Sequence, residues 1–102
     1  MNTPQTEKAK IKIKWKYIKG KEYERVLSLF IDYNTQSTEF EFGGEKFEII
    51  WQGSDYSLLL MKEDMDREKG VYIISDRPLE IWKKETVART LLKRHPELIQ
   101  KL

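Results

Sequence analysis

From Lys8 to Lys16 the chain reads K-A-K-I-K-I-K-W-K, with a lysine at every second residue and an apolar residue in each gap. A β-strand turns successive side chains to opposite faces, so this spelling puts Lys8, Lys10, Lys12, Lys14 and Lys16 on one face. Ala9, Ile11, Ile13, Trp15 and Tyr17 then share the other face, which can pack on a core. The ladder is expected to be the first strand, over about residues 9–18, ended by Gly20. Residues 1–8 are expected to be a flexible leader, and residues 9–102 a single domain.

The pattern changes after Gly20. Tyr23, Val26, Leu27, Phe30 and Ile31 recur at the spacing of an amphipathic helix, predicted over about residues 22–33 and stopped near Asn34. Phe40 and Phe42 alternate with Glu39 and Glu41, and Phe47, Ile49 and Trp51 alternate with Lys46 and Glu48. Gly43-Gly44 between them supplies the positive φ angles of a two-residue turn, so the segment is a β-hairpin. Strands follow at about Tyr56–Met61 and Val71–Ser75. Asp76-Arg77-Pro78 opens a final helix from about Leu79 to Arg94, with Asp76 as a cap and Pro78 in the first turn. Pro96 interrupts it, leaving room for one further short turn.

The element order β-α-β-β-β-β-α predicts an α+β domain: an antiparallel sheet of four to five strands with both helices packed on one face. The alternating strands imply that the other face is solvated. At 102 residues the chain can bury roughly two-thirds of its unfolded surface. Apolar residues make up 39% and charged residues 35%, so a modest core under a charged shell is expected.

Composition also excludes chemistry. The absence of cysteine removes disulfides, thiolate metal sites and a cysteine nucleophile. The first residues, M-N-T-P-Q-T, are polar and no apolar segment follows them, so no secretory signal is expected and a cytoplasmic location is. No apolar run approaches the roughly 20 residues of a membrane span. Phosphate-binding and dinucleotide-binding glycine motifs are missing, and neither Ser54 nor Ser75 lies in a G-x-S-x-G elbow. The acidic run Glu63, Asp64, Asp66, Glu68 fails the calcium-loop pattern, because Lys69 and Ser75 occupy the positions that require Gly and Glu. His95, the only histidine, is read as a helix-terminus residue, and neither a metal nor a cofactor is expected.

Charge remains as the informative feature. Residues 1–20 carry +5, residues 21–68 carry −7 and residues 69–102 carry +4. The ladder has the repeat of a phosphate-tracking strip, but lysine also protects an edge strand, and Glu39, Glu41 or Glu48 on a neighbouring strand would pair with it. The last helix carries Lys83, Arg89, Lys93 and Arg94 on one broad face, with Ile81, Ala88, Leu91 and Leu92 opposite and Trp82 at the margin. Too few groups of catalytic type and much patterned charge lead to one expectation: a non-catalytic interaction module that contacts a macromolecule, first of all a protein partner, through a charged sheet or helix face. The second reading is nucleic-acid binding by the ladder and the last helix as one surface. Either reading rests on Lys10, Lys12, Lys14, Lys16, Lys83, Arg89, Lys93 and Arg94. An uncovered edge strand would in addition permit a strand-paired dimer.

Overall fold

The computed structural model describes residues 11–31, 34–52, 56–63 and 68–102. The leader, Lys8 and Lys10 lie outside the described residues, as do Asp64 and Asp66 of the acidic run. Along the chain run β1 (Ile13–Lys19), α1 (Gly20–Phe30), β2 (Gln36–Phe42), β3 (Glu45–Trp51), β4 (Ser57–Lys62), β5 (Lys69–Ser75), α2 (Ile81–Arg94) and α3 (Glu97–Lys101).

The five strands form one antiparallel sheet in the order β1-β5-β4-β3-β2. Strands β2 to β5 are a meander of sequential neighbours, and β1 joins its far side by pairing with β5. Gly43 and Gly44, at φ 61° and 81°, make the two-residue turn of the hairpin. Gly20, at φ 63°, turns the chain from β1 into α1 with no intervening loop. α1 stops at Phe30, sooner than the periodicity predicts, and the Thr35 hydroxyl donates to the freed Phe30 carbonyl.

The two main helices lie on opposite faces of the sheet, not on one. Tyr23, Val26 and Phe30 of α1 pack with Ile18, Ile50, Leu59 and Met61. Ala88, Leu91 and Leu92 of α2, with Leu98 of α3, pack with Phe47, Ile49, Trp51, Leu58, Leu60, Val71 and Ile73. The cause is β4. Leu58, Leu59, Leu60 and Met61 are consecutive and all buried, and successive residues of a strand cannot share a face. A central strand spelled this way needs cover on both sides. Chain path supplies it: α1 leaves the β1 edge and must deliver the chain to β2 at the opposite edge, so it crosses the face that α2 does not.

The entry to α2 also departs from expectation. Asp76 does not cap the helix. Its carboxylate accepts from the Lys12 N–H at 3.2 Å, its own N–H donates to the Lys12 carbonyl at 3.0 Å, and Ser75 Oγ accepts from the Arg77 N–H at 3.0 Å. The chain entering β1 is thereby tied to the chain leaving β5. Leu79 fills the core at the helix entrance, while Ile81, expected on the packed side, is 64% exposed beside Trp82 at 62%. Lys84 takes the buried place instead. Its ammonium donates to the Leu79 carbonyl at 2.8 Å and sits 4.6 Å from the centroid of the Trp51 ring.

Candidate nucleic-acid or protein interface at the β1 edge

The sheet separates the two groups of predicted site residues. Lys14 and Lys16 alternate with Trp15 and Tyr17, and Ile18, on the lysine side of β1, packs under α1. The lysine face is therefore the α1 face. Lys83, Arg89, Lys93 and Arg94 belong to α2, on the other side. The ladder and the last helix do not form one continuous basic surface.

Nor do the expected glutamates reach the lysines. Glu39 and Glu41 are on β2 and Glu48 is on β3, with β5 and β4 between them and β1. In the hairpin Glu39 stands opposite Glu48, and Glu41 opposite Lys46. The partner of Lys16 comes from α1: its ammonium lies 2.6 Å from Glu22 Oε2. Lys14 has no ion pair among the described residues, whereas Lys12 meets the Asp76 carboxylate through its main-chain N–H at 3.2 Å. On α2, the Arg89 Nε donates to Glu85 at 2.7 Å and its guanidinium covers the Phe40 ring at 5.1 Å. Lys83 lies 5.3 Å from the centroid of the Trp82 ring. Lys93 and Arg94 are exposed in the last turn, where the helix dipole favours cations.

The backbone of β1 adds a feature that the charge pattern does not announce. In an antiparallel ladder hydrogen-bonded pairs alternate with unbonded ones. Asp76 N–H bonds the Lys12 carbonyl, and Gly20 N–H bonds the Glu68 carbonyl at 3.2 Å. Both pairs are in the register of β1 with β5, so the even-numbered residues of β1 bond inward. Ile13, Trp15, Tyr17 and Lys19 turn their N–H and C=O groups away from the sheet. Among the described residues no strand pairs with this edge.

A groove of about 360 Å³ runs beside it, between β1 and α2. Ile11, Ile13 and Trp15 line one side; Thr86, Thr90, Arg94 and His95 line the other. Trp15 is 37% exposed and its ring centroid is 4.5 Å from that of His95. The His95 N–H donates to the Leu91 carbonyl at 2.9 Å, as a helix-end residue does, and its Nδ1 is 3.3 Å from Glu97 Oε2. The Glu97 carboxyl is held below its ordinary value by its own main-chain N–H and then by His95. Further along the edge the Tyr17 hydroxyl donates to the Lys101 carbonyl at 3.2 Å, and the Lys101 ammonium lies 5.3 Å from the Tyr17 ring centroid.

The β1 edge thus offers three things together: unpaired main-chain donors and acceptors, a partly apolar slot, and cations on both sides of the sheet. Sequence reasoning placed Trp15 on the core side of β1 and His95 at a helix end, but nothing in either local pattern says that the two rings meet. Among the described residues no helix is long and apolar enough to cross a membrane. No protein-family model, curated protein or solved structure matches this chain.

Proposed function

We propose that the protein is a non-catalytic interaction module that takes an extended segment of another protein along the open edge of β1. The observation that carries this reading is the outward turn of the Ile13, Trp15 and Tyr17 main-chain groups beside the Trp15–His95 groove. A peptide in strand conformation has the matching alternation of donors and acceptors, and its side chains on one face fall over the groove. Side chains on its other face fall beside Lys12, Lys14 and Lys16, so an acidic residue at every second position is favoured there. Nucleic acid is the weaker reading, because the cations that would follow a phosphate backbone are split between two faces of the sheet.

The test is fluorescence anisotropy with a labelled peptide of alternating glutamate and valine. Controls are the same composition in two blocks, a lysine–valine alternation, and the first peptide N-methylated at every second residue. Binding that is lost on N-methylation and weakened about tenfold or more by blocking supports strand addition. Binding of labelled DNA or RNA with a steep salt slope, and of none of the peptides, refutes it.

A further inference from the structure

We infer that the chain carries its own partner strand: the open edge of β1 accepts β2 of a second copy, in parallel and with defined register. This rests on the reading of β1 as a strand-addition edge, and names the strand.

β2 lies at the opposite edge of the sheet and is likewise unpaired on its outer side among the described residues. Phe42 and Glu45 flank the two-residue turn and bond each other, so by alternation Phe40 and Thr38 also bond inward to β3. The Glu63 N–H to Lys46 carbonyl bond, 2.9 Å, agrees, since it assigns the even residues of β3 to β4. Ser37, Glu39 and Glu41 therefore turn their main-chain groups outward.

Four antiparallel steps separate β1 from β2, so the two edge strands run in the same direction. A second copy added in the same orientation extends the sheet by a parallel β1–β2 pair. In parallel pairing an outward-bonding residue stands beside one whose groups point inward. Trp15 then stands beside Phe40, both on the α2 face, and Lys14 beside Glu39, both on the α1 face. Lys16 beside Glu41 follows in the same register. Charge and polarity match at successive positions on both faces.

The same charges reject the alternatives. Antiparallel β1–β1 pairing puts the lysines of two ladders on one face, and antiparallel β2–β2 pairing does the same with glutamates; like charges directly opposite are destabilising. Parallel pairing of like edges turns one copy over and sets each charge beside the uncharged face of its neighbour. Antiparallel β1–β2 pairing requires one copy to turn over, which puts Lys14 and Glu39 on different faces. The permitted contact is head-to-tail and leaves a free edge at each end, so it propagates rather than closing. Parallel pairing over one short strand is weak, and association is expected at high protein concentration and low salt.

Sedimentation velocity of the full chain over a concentration series, at low and high salt, is the direct test. Lys14→Glu and Glu39→Lys alter exposed positions that form no ion pair among the described residues, and thermal unfolding confirms that each variant is folded. Each alone should weaken self-association on the order of tenfold. Mixed together they should associate again, because the unaltered Glu39 of the Lys14→Glu chain meets the unaltered Lys14 of the Glu39→Lys chain. Association that ignores both changes, or a mixture that stays monomeric, overturns the inference. A wild-type chain that is monomeric throughout yet binds the alternating acidic peptide overturns self-pairing and leaves the strand-addition edge standing. If it binds no peptide either, both readings fall.

Discussion

Gly70→Ala probes the closest seam in the fold. Gly70 is buried on β5 where α1 crosses the sheet. A Cβ there would stand 2.9 Å from the Leu60 carbonyl oxygen, 3.1 Å from Leu59 Cδ1 and 3.2 Å from Tyr23 Cε1. Two of those neighbours are side chains that can give way. The Leu60 carbonyl belongs to the paired strand β4, and moving it strains the ladder. Overpacking of this kind costs about 1–3 kcal/mol. Against it, an alanine restricts the unfolded chain and returns about 0.4–1 kcal/mol. The balance is a loss of about 1–2 kcal/mol, which in a domain this size lowers Tm by roughly 5–15 °C. Thermal unfolding followed by circular dichroism measures it, and urea unfolding should show a lower midpoint with an unchanged slope. A Tm equal to or above that of the wild type would refute the reasoning: Tyr23 and Leu59 would then be able to withdraw, and α1 would not be close-packed on β4 and β5.

Trp51→Ala should cost about 3–5 kcal/mol in urea unfolding, because the ring is buried in the α2 layer and lies under the Lys84 ammonium; a loss below about 1 kcal/mol would place it outside the core. Acid should weaken the fold through two carboxyl groups held below their ordinary values, Asp76 by the Arg77 side chain and then the Lys12 N–H, and Glu97 by its own N–H and then His95. A carboxyl with a lowered pKa stabilises fully above its ordinary value, 3.8 for Asp76 and 4.5 for Glu97. That contribution disappears as pH falls through the lowered value. Asp76→Asn should flatten the decline in Tm below about pH 4, and an unchanged decline would show that the Arg77 and Lys12 contacts do not discriminate between the charged and neutral forms.

Local pattern carried much of the fold. The alternation in the ladder and in the hairpin, the glycine pair at the turn, and the stripe of Tyr23, Val26 and Phe30 each specify a periodicity that a neighbour must match. Helix placement depended on a weaker sign. The four apolar residues Leu58–Met61 are the mark of a strand covered on both faces, whereas the alternation in the ladder and the hairpin points to one solvated face and so to both helices on one side. At the start of α2, Asp76 had the right chemistry for a cap and a stronger claim elsewhere, on the Lys12 main chain. Lys84 in a buried place has no local signal at all, since the Trp51 ring and the Leu79 carbonyl that receive it come together only in the fold. The candidate site was half legible. Its lysines were evident, whereas the sign that β1 is an edge strand lies in which strand pairs with which, and that is a property of the whole sheet.

The position of β1 has a consequence for the order of events along the folding path. Strands β2 to β5 pair with sequence neighbours, but Ile13 meets Ser75 across 62 positions of chain. Closing so long a loop is entropically costly and is rewarded only once the meander exists to receive it. The reciprocal Lys12–Asp76 bonds then latch that closure, and amide exchange is expected to find β1 opening before the meander. A partner strand laid along β1 would bind the last-formed element of the domain and hold it shut, so occupancy of the edge and completion of the fold are coupled.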